Sequence, residues 1–235
     1  MLNHFRTLSN DFIGLLYPFN CVSCKEERAV DNDVFCLTCK VLISETDHFV
    51  TKENELKFRL SGRVELDHGA AMFDFIKNGG VQEAIHNLKY KDQSQIGIIL
   101  GRQFGKAYLK CPHFNNKADF ILPIPLHYRR LKLRGFNQSL MFAKGISEVT
   151  GIPINENILK KNSQIKTQTR KGRMDRFRNV LSSFQLRHKK QILGKTILLV
   201  DDVLTTGATI EAAAQLISEI ANTKIQIGVI ALAND

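Results

Sequence analysis

The chain has 235 residues, 43% apolar and 24% charged, with 15 Gly, 5 Pro and a formal net charge of +10. That balance excludes collagen-like, disulfide-dense and wholly disordered classes, and the length allows one α/β domain with a small appendage rather than a large multidomain enzyme. From Arg129 to Lys195, 17 Lys or Arg face 3 acids, so this stretch carries +14 and the remainder −4; such a local field suits phosphate-bearing partners, or else a merely solvated basic surface.

Residues 1–18 predict a short amphipathic helix. Its apolar patch at 12–19 follows Asp11 and has no small-x-small site after it, so neither a secretory signal nor a membrane span is expected, and a cytoplasmic location is. Next come Cys21-Val-Ser-Cys24 and Cys36-Leu-Thr-Cys39, two Cys-x-x-Cys turns eleven residues apart. Each turn presents two thiolates to one ion, and together they supply the tetrahedral sulfur set of a closed structural zinc site. Two disulfides or a redox pair are the competing reading, disfavoured in a reducing compartment. Cys111 has no partner in sequence and reads as a half-buried small apolar residue.

A helix-like stretch is expected around 39–46, and 47–62 reads as a connection. Residues 72–75 predict a strand, and apolar residues at 81, 84, 85 and 88 follow helical spacing, with His86 beside that stripe. A second helix is expected over 96–109. Beyond 118, strands at 120–124, 192–200 and 225–232 alternate with helices at 139–149 and 210–220, which predicts a parallel sheet covered by helices. Ligands of such sheets bind outside the carboxyl ends of the strands. The polar, basic stretch 155–184 breaks the rhythm and reads as a functional loop.

The most specific segment is Ile197-Leu-Leu-Val-Asp-Asp-Val-Leu-Thr-Thr-Gly-Ala-Thr209. A buried strand ending at Val200 is expected to present Asp201 and Asp202 at its exposed carboxyl edge. Thr205, Thr206, Gly207, Ala208 and Thr209 then form a loop opening onto a helix, where unpaired N–H groups and the positive dipole end meet an anion. Gly207 allows close backbone approach, and the threonine hydroxyls donate to phosphate oxygens. The carboxylates belong on sugar hydroxyls or a divalent cation. A second segment, Leu122-Pro-Ile-Pro-Leu-His-Tyr-Arg-Arg-Leu-Lys-Leu-Arg-Gly-Phe-Asn-Gln138, ends a strand in a basic turn.

The first segment resembles the type I phosphoribosyltransferases. The resemblance implies that Asp201 and Asp202 take the ribose hydroxyls of magnesium-bound 5-phosphoribosyl-1-pyrophosphate and that 205–209 take its 5′-phosphate. Some members carry an acid at the position of Thr205 to serve the incoming base; here that role is unassigned. The second segment resembles the hallmark of the ComF, or competence protein F, family, as do the cysteine pairs, Leu88-Lys-Tyr-Lys91, Gln168-Thr-Arg170 with Arg173, and Arg178-Asn179. Arg129, Arg130, Arg134 and the Gly135 backbone are then candidates for the pyrophosphate, with Arg170 and Lys171 from the basic insert.

The expected fold is α/β, a type I phosphoribosyltransferase-like parallel sheet flanked by helices over 51–235, with a helix and a small zinc-binding module over 1–50. The family resemblance implies a part in natural transformation, acting on incoming single-stranded DNA. The alternative is a nucleotide-salvage phosphoribosyltransferase joining a base to ribose-5-phosphate, for which no base-specificity segment is legible. A third reading is binding only, with the basic insert as a single-strand groove and Phe177 and Phe184 stacking on bases. The residues leave open whether pentosyl transfer is retained.

Overall fold

A computed structural model describes residues 20–90, 93–162 and 183–233. The expected N-terminal helix, Lys91, and the core of the basic insert with Arg170, Lys171, Arg173, Phe177, Arg178 and Asn179 lie outside them.

Four parallel strands form the central sheet: β1 (His68–Phe75), β2 (Phe120–Pro123), β5 (Thr196–Leu204) and β6 (Lys224–Ala233), in the order β1-β6-β5-β2. The apolar runs of β5 and β6 are buried on both faces, as covered parallel strands require. One face packs Ile121, Leu198, Val200 and Ile230 under α3 (Gly80–Lys89), α4 (Ser94–Lys110) and α6 (Gln138–Thr150). The other packs Leu122, Ile197, Leu199 and Ile227 under α2 (Glu55–Leu60), α7 (Ala208–Ser218) and an antiparallel pair, β3 (Leu159–Lys161) with β4 (Phe184–Leu186).

Local sequence accounts for the helices. In α3, Val81, Ala84, Ile85 and Leu88 are buried at the expected spacing while His86 is exposed. Asn137 caps α6 by accepting the Ser139 N–H. Helices α4 and α6 touch backbone to backbone: a Cβ on Gly101 would land on the Phe142 carbonyl, and one on Gly145 on the Ile98 carbonyl.

Several expectations shift. The helix near the second cysteine pair is α1 (Leu37–Val41), and Glu45 then bridges to Phe73 of β1. The stretch 47–62 contains α2, capped by Asn54, because Leu56 and Leu60 bury against the second face. Ile192 belongs to a short 3-10 turn, Lys189–Ile192, that precedes β5. Cys111 is buried, where a half-buried position was expected.

The cysteine module shares an apolar cluster with the first face. Phe35 meets Phe73 edge to face at 6.2 Å, and Asn87 of α3 donates to the Val22 carbonyl at 3.2 Å. Among the described residues, no helix is long and apolar enough to cross a membrane.

Candidate functional site

Strand β5 does not stop at Val200. It continues to Leu204 because Asp201 and Val203 pair with Val229 and Ala231 of the longer neighbour β6. The two carboxylates therefore lie within the strand and are half-buried, where an exposed edge was expected. Asp201 Oδ1 accepts the Ser139 hydroxyl of α6 at 2.8 Å. Asp202 pairs with Lys89, the last residue of α3, at 3.0 Å. Burial, and then the adjacent charge of Asp202, raise the Asp201 carboxyl to about 7, against the lowering effect of the Ser139 bond and Lys89.

Beyond Leu204 the chain turns through 205–209. Gly207 has φ +81°, the left-handed region that favours glycine, and a Cβ there would stand 2.9 Å from Leu60 Cδ2. Two arginines hold the loop from behind. Arg59 of α2 donates to the Thr205 carbonyl at 3.1 Å and also to the Ala233 carbonyl, while Arg63 donates to the Thr206 carbonyl at 3.3 Å and to Glu211 at 2.9 Å. In a trans peptide the N–H opposes the carbonyl. Tying these two carbonyls to arginines thus turns the N–H groups of Thr206 and Gly207 the other way, beside the unpaired first-turn N–H groups of α7. Thr205 and Thr206 are exposed, and Ala208 and Thr209 half-buried. This array of donors at a helix N-terminus can hold a phosphate.

Next to β5, strand β2 ends at Pro123 and leads into α5 (Tyr128–Arg134), whose first turn is capped by His127 and whose end is Gly135 at φ +81°. Arg129 and Arg130 are exposed, and Arg134 lies over the Tyr90 ring at 5.8 Å. Lys161 of β3 sits 3.8 Å from the Phe184 ring centroid. Burial lowers its ammonium to about 8, with Asp201 pulling it back up and Arg130 pushing it down. The end of β5, the loop after it and the helix that follows the adjacent β2 thus bring Asp201, Asp202, 205–209 and the cations of α5 to the carboxyl end of the sheet. Phe184 is buried beneath Lys161, so it offers no face to a base.

The structure adds Lys89, Ser139, Lys161, Arg59 and Arg63 to the residues singled out from sequence. Ser139 was open to inference, since it stands in the first turn of α6, the second helix after β2. Lys89 stands inside a family-like segment without a readable role, and the two arginines carry no local signal.

The four thiols of Cys21, Cys24, Cys36 and Cys39 lie within 4.8 Å of one another, and Cys24 and Cys36 sulfurs are 3.8 Å apart. Sulfurs bound at ~2.3 Å to one tetrahedral zinc stand ~3.8 Å apart, so the set fits the metal. Desolvation raises Cys21, but N–H groups of Cys36, Cys24 and Ser23 outweigh it and bring it to about 7. Cys39 is raised by burial, and Cys36 is raised overall, by burial and neighbouring groups, despite its bond from the Cys39 N–H. Four thiolates crowded this closely need a cation to ionise together.

The sequence pattern of the phosphoribosyl transferase domain family matches residues 137–235, which span α6 to β6 and include both carboxylates and the loop. These matches and the parallel sheet define a phosphoribosyltransferase-type α/β protein. Competence protein F of Haemophilus influenzae is 25% identical over 221 residues, 90% of this chain and 96% of that protein. Competence protein ComFC of Bacillus subtilis is 24% identical over 201 residues, 85% of this chain and 78% of that one. DNA utilization protein YhgH of Escherichia coli is 30% identical over 145 residues, 61% of this chain and 63% of its own length. Over most of its length the chain is thus similar to competence proteins of the ComF type, and its C-terminal part carries the phosphoribosyl transferase domain pattern.

Proposed function

We propose that this protein binds 5-phosphoribosyl-1-pyrophosphate with a divalent cation and serves DNA uptake in the cytoplasm, handling incoming single-stranded DNA. One observation carries the small-ligand reading: β5 holds two carboxylates immediately before an N–H-lined turn whose carbonyls are tied away by Arg59 and Arg63. In this reading 205–209 hold the 5′-phosphate, Asp201 and Asp202 accept the ribose hydroxyls, and Arg129, Arg130, Arg134 and the Gly135 N–H neutralise the pyrophosphate, joined by Arg170 and Lys171. Magnesium, when bound, would spread pyrophosphate charge and favour its departure. Asp201, held up to about 7 beside Asp202, fits a site that gains from a nearby cation or hydroxyl donors.

The names of the relatives, competence proteins and a DNA utilization protein, support the DNA-uptake role. The zinc is structural, with four protein sulfurs and no open position, and the module up to about residue 50 forms a unit distinct from the phosphoribosyl domain in this reading. Calorimetric titration with phosphoribosyl pyrophosphate and magnesium tests the site, with saturable binding expected. A pyrophosphate-release screen over nitrogenous bases and single-stranded DNA separates transfer onto a base, the salvage alternative, from binding alone. Absence of binding by the metal-loaded protein would refute the small-ligand reading.

A further inference from the structure

Helix α5 stands at the sheet edge with Arg129, Arg130, Lys132 and Arg134, and among the described residues none of these four pairs with a carboxylate. Its apolar side chains do not explain it as a core element, since none of its residues is buried and Leu133 is 79% exposed. Each end of the helix instead carries an exposed aromatic stack. At the start, the His127 and Tyr128 rings lie 4.7 Å apart, tilted at 38°, Tyr128 is 54% exposed, and Arg129 donates from Nε to the Tyr128 hydroxyl at 3.1 Å, with its guanidinium carbon 5.8 Å from the ring centre. At the end, Arg134 lies over Tyr90, which is 43% exposed and set against His86 of α3 at 5.0 Å with the rings tilted at 46°.

Solvent-exposed tyrosines with cations over their rings bury little area and gain little stability on their own. They do offer flat π-faces among unpaired positive charges, the combination that holds a single-stranded polynucleotide by base stacking and phosphate neutralisation. A helix of seven residues is ~10 Å long, so the two stacks suit a strand of two to three stacked nucleotides at ~3.4 Å each. We infer that α5 and the C-terminal end of α3 form a stacking platform for a single-stranded polynucleotide, with Tyr90 and Tyr128 as the base contacts. The inference rests on the nucleic-acid part of the proposed function and locates it on residues other than the basic insert. It also puts the strand at the rim of the phosphoribosyl site, because α5 and 205–209 follow adjacent strands.

The test uses the full-length, zinc-loaded protein and fluorescence anisotropy with labelled oligothymidylate, oligouridylate, and a deoxyribose-phosphate strand of the same length lacking bases. Tyr90→Ala and Tyr128→Ala should each weaken oligothymidylate or oligouridylate binding by about fivefold or more. Tyr90→Phe and Tyr128→Phe should restore it, which separates stacking from a folding defect. The strand without bases should bind more weakly and be indifferent to both alanine substitutions. Lys132→Ala should reduce the log–log salt slope by about 0.7. Affinity for either sugar series upholds the platform. Equal binding of strands with and without bases, alanine variants that bind like wild type, or no binding of either polynucleotide at low salt would overturn it. Calorimetry with phosphoribosyl pyrophosphate runs alongside: Lys132→Ala should bind it like wild type. A protein that binds strands through the tyrosines but never binds the small ligand refutes that ligand and leaves the platform standing.

Discussion

Replacing Asp201 by Asn should make the ligand-free protein more stable and the site weaker, with a defined pH dependence. The carboxyl is raised from 3.8 to about 7 chiefly by burial. Below about pH 4 the folded and unfolded chains both carry the proton; between about 4 and 7 only the folded chain does. The group's stabilising contribution is therefore lost as pH rises through that window and stays lost above about 7. At ~1.36 kcal/mol per pH unit the ceiling is about 4 kcal/mol, and solvent screening of a residue that is only half-buried brings the expectation for Asp201 to about 2 kcal/mol. His68, lowered to about 4 by burial, drives an opposite slope between about 4 and 6.5. The readout is accordingly the difference between variant and wild type, in which His68 cancels. Asn keeps an oxygen for the Ser139 hydroxyl, so the local bond survives. Thermal unfolding at pH 4 and pH 8 should show the variant close to wild type at the lower pH and higher melting by about 4–8 °C at the upper. In the same preparation, loss of a charge-assisted bond should weaken phosphoribosyl pyrophosphate by about 10-fold or more, and Asp201→Asn with Asp202→Asn by more than either alone. A pH-independent difference, or a variant less stable at pH 8, would refute the burial argument. Unchanged affinity in a folded variant would refute the ribose assignment.

Elemental analysis should find one zinc per chain, and Cys36→Ser should abolish it and lower the melting temperature, because Phe35 and Val34 beside it belong to the apolar cluster that includes Ile85 and Phe73. Gly207→Ala should cost about 1–3 kcal/mol through its left-handed φ and the approach to Leu60, and should weaken the small ligand in calorimetry while zinc content is unchanged. Gly145→Ala should destabilise by about 3 kcal/mol or more in denaturant titration, since the methyl meets the backbone of α4 rather than a side chain that can rotate away.

What the sequence determined by itself is local. Cysteine spacing specified the four-sulfur cluster, apolar periodicity specified α3, and the run from Ile197 to Thr209 specified a strand, a glycine turn and a helix, because each rests on chain geometry within a dozen residues. The family-like segments extended this to a fold class, since their residue types recur at fixed offsets. Tertiary structure alone decided the electrostatics. Whether Asp201 is exposed depended on how far β6 runs beside β5, and its partner Ser139 comes from a helix that follows a different strand. Arg59 and Arg63 reach the 205–209 loop from 146 and 143 residues earlier in the chain, and Lys89 meets Asp202 from the far side of three strands in sequence. Tyr90 and Arg134 stack only because α3 and α5 end at the same edge. Such pairings depend on strand order and helix placement, which bring together side chains whose identities carry no record of one another.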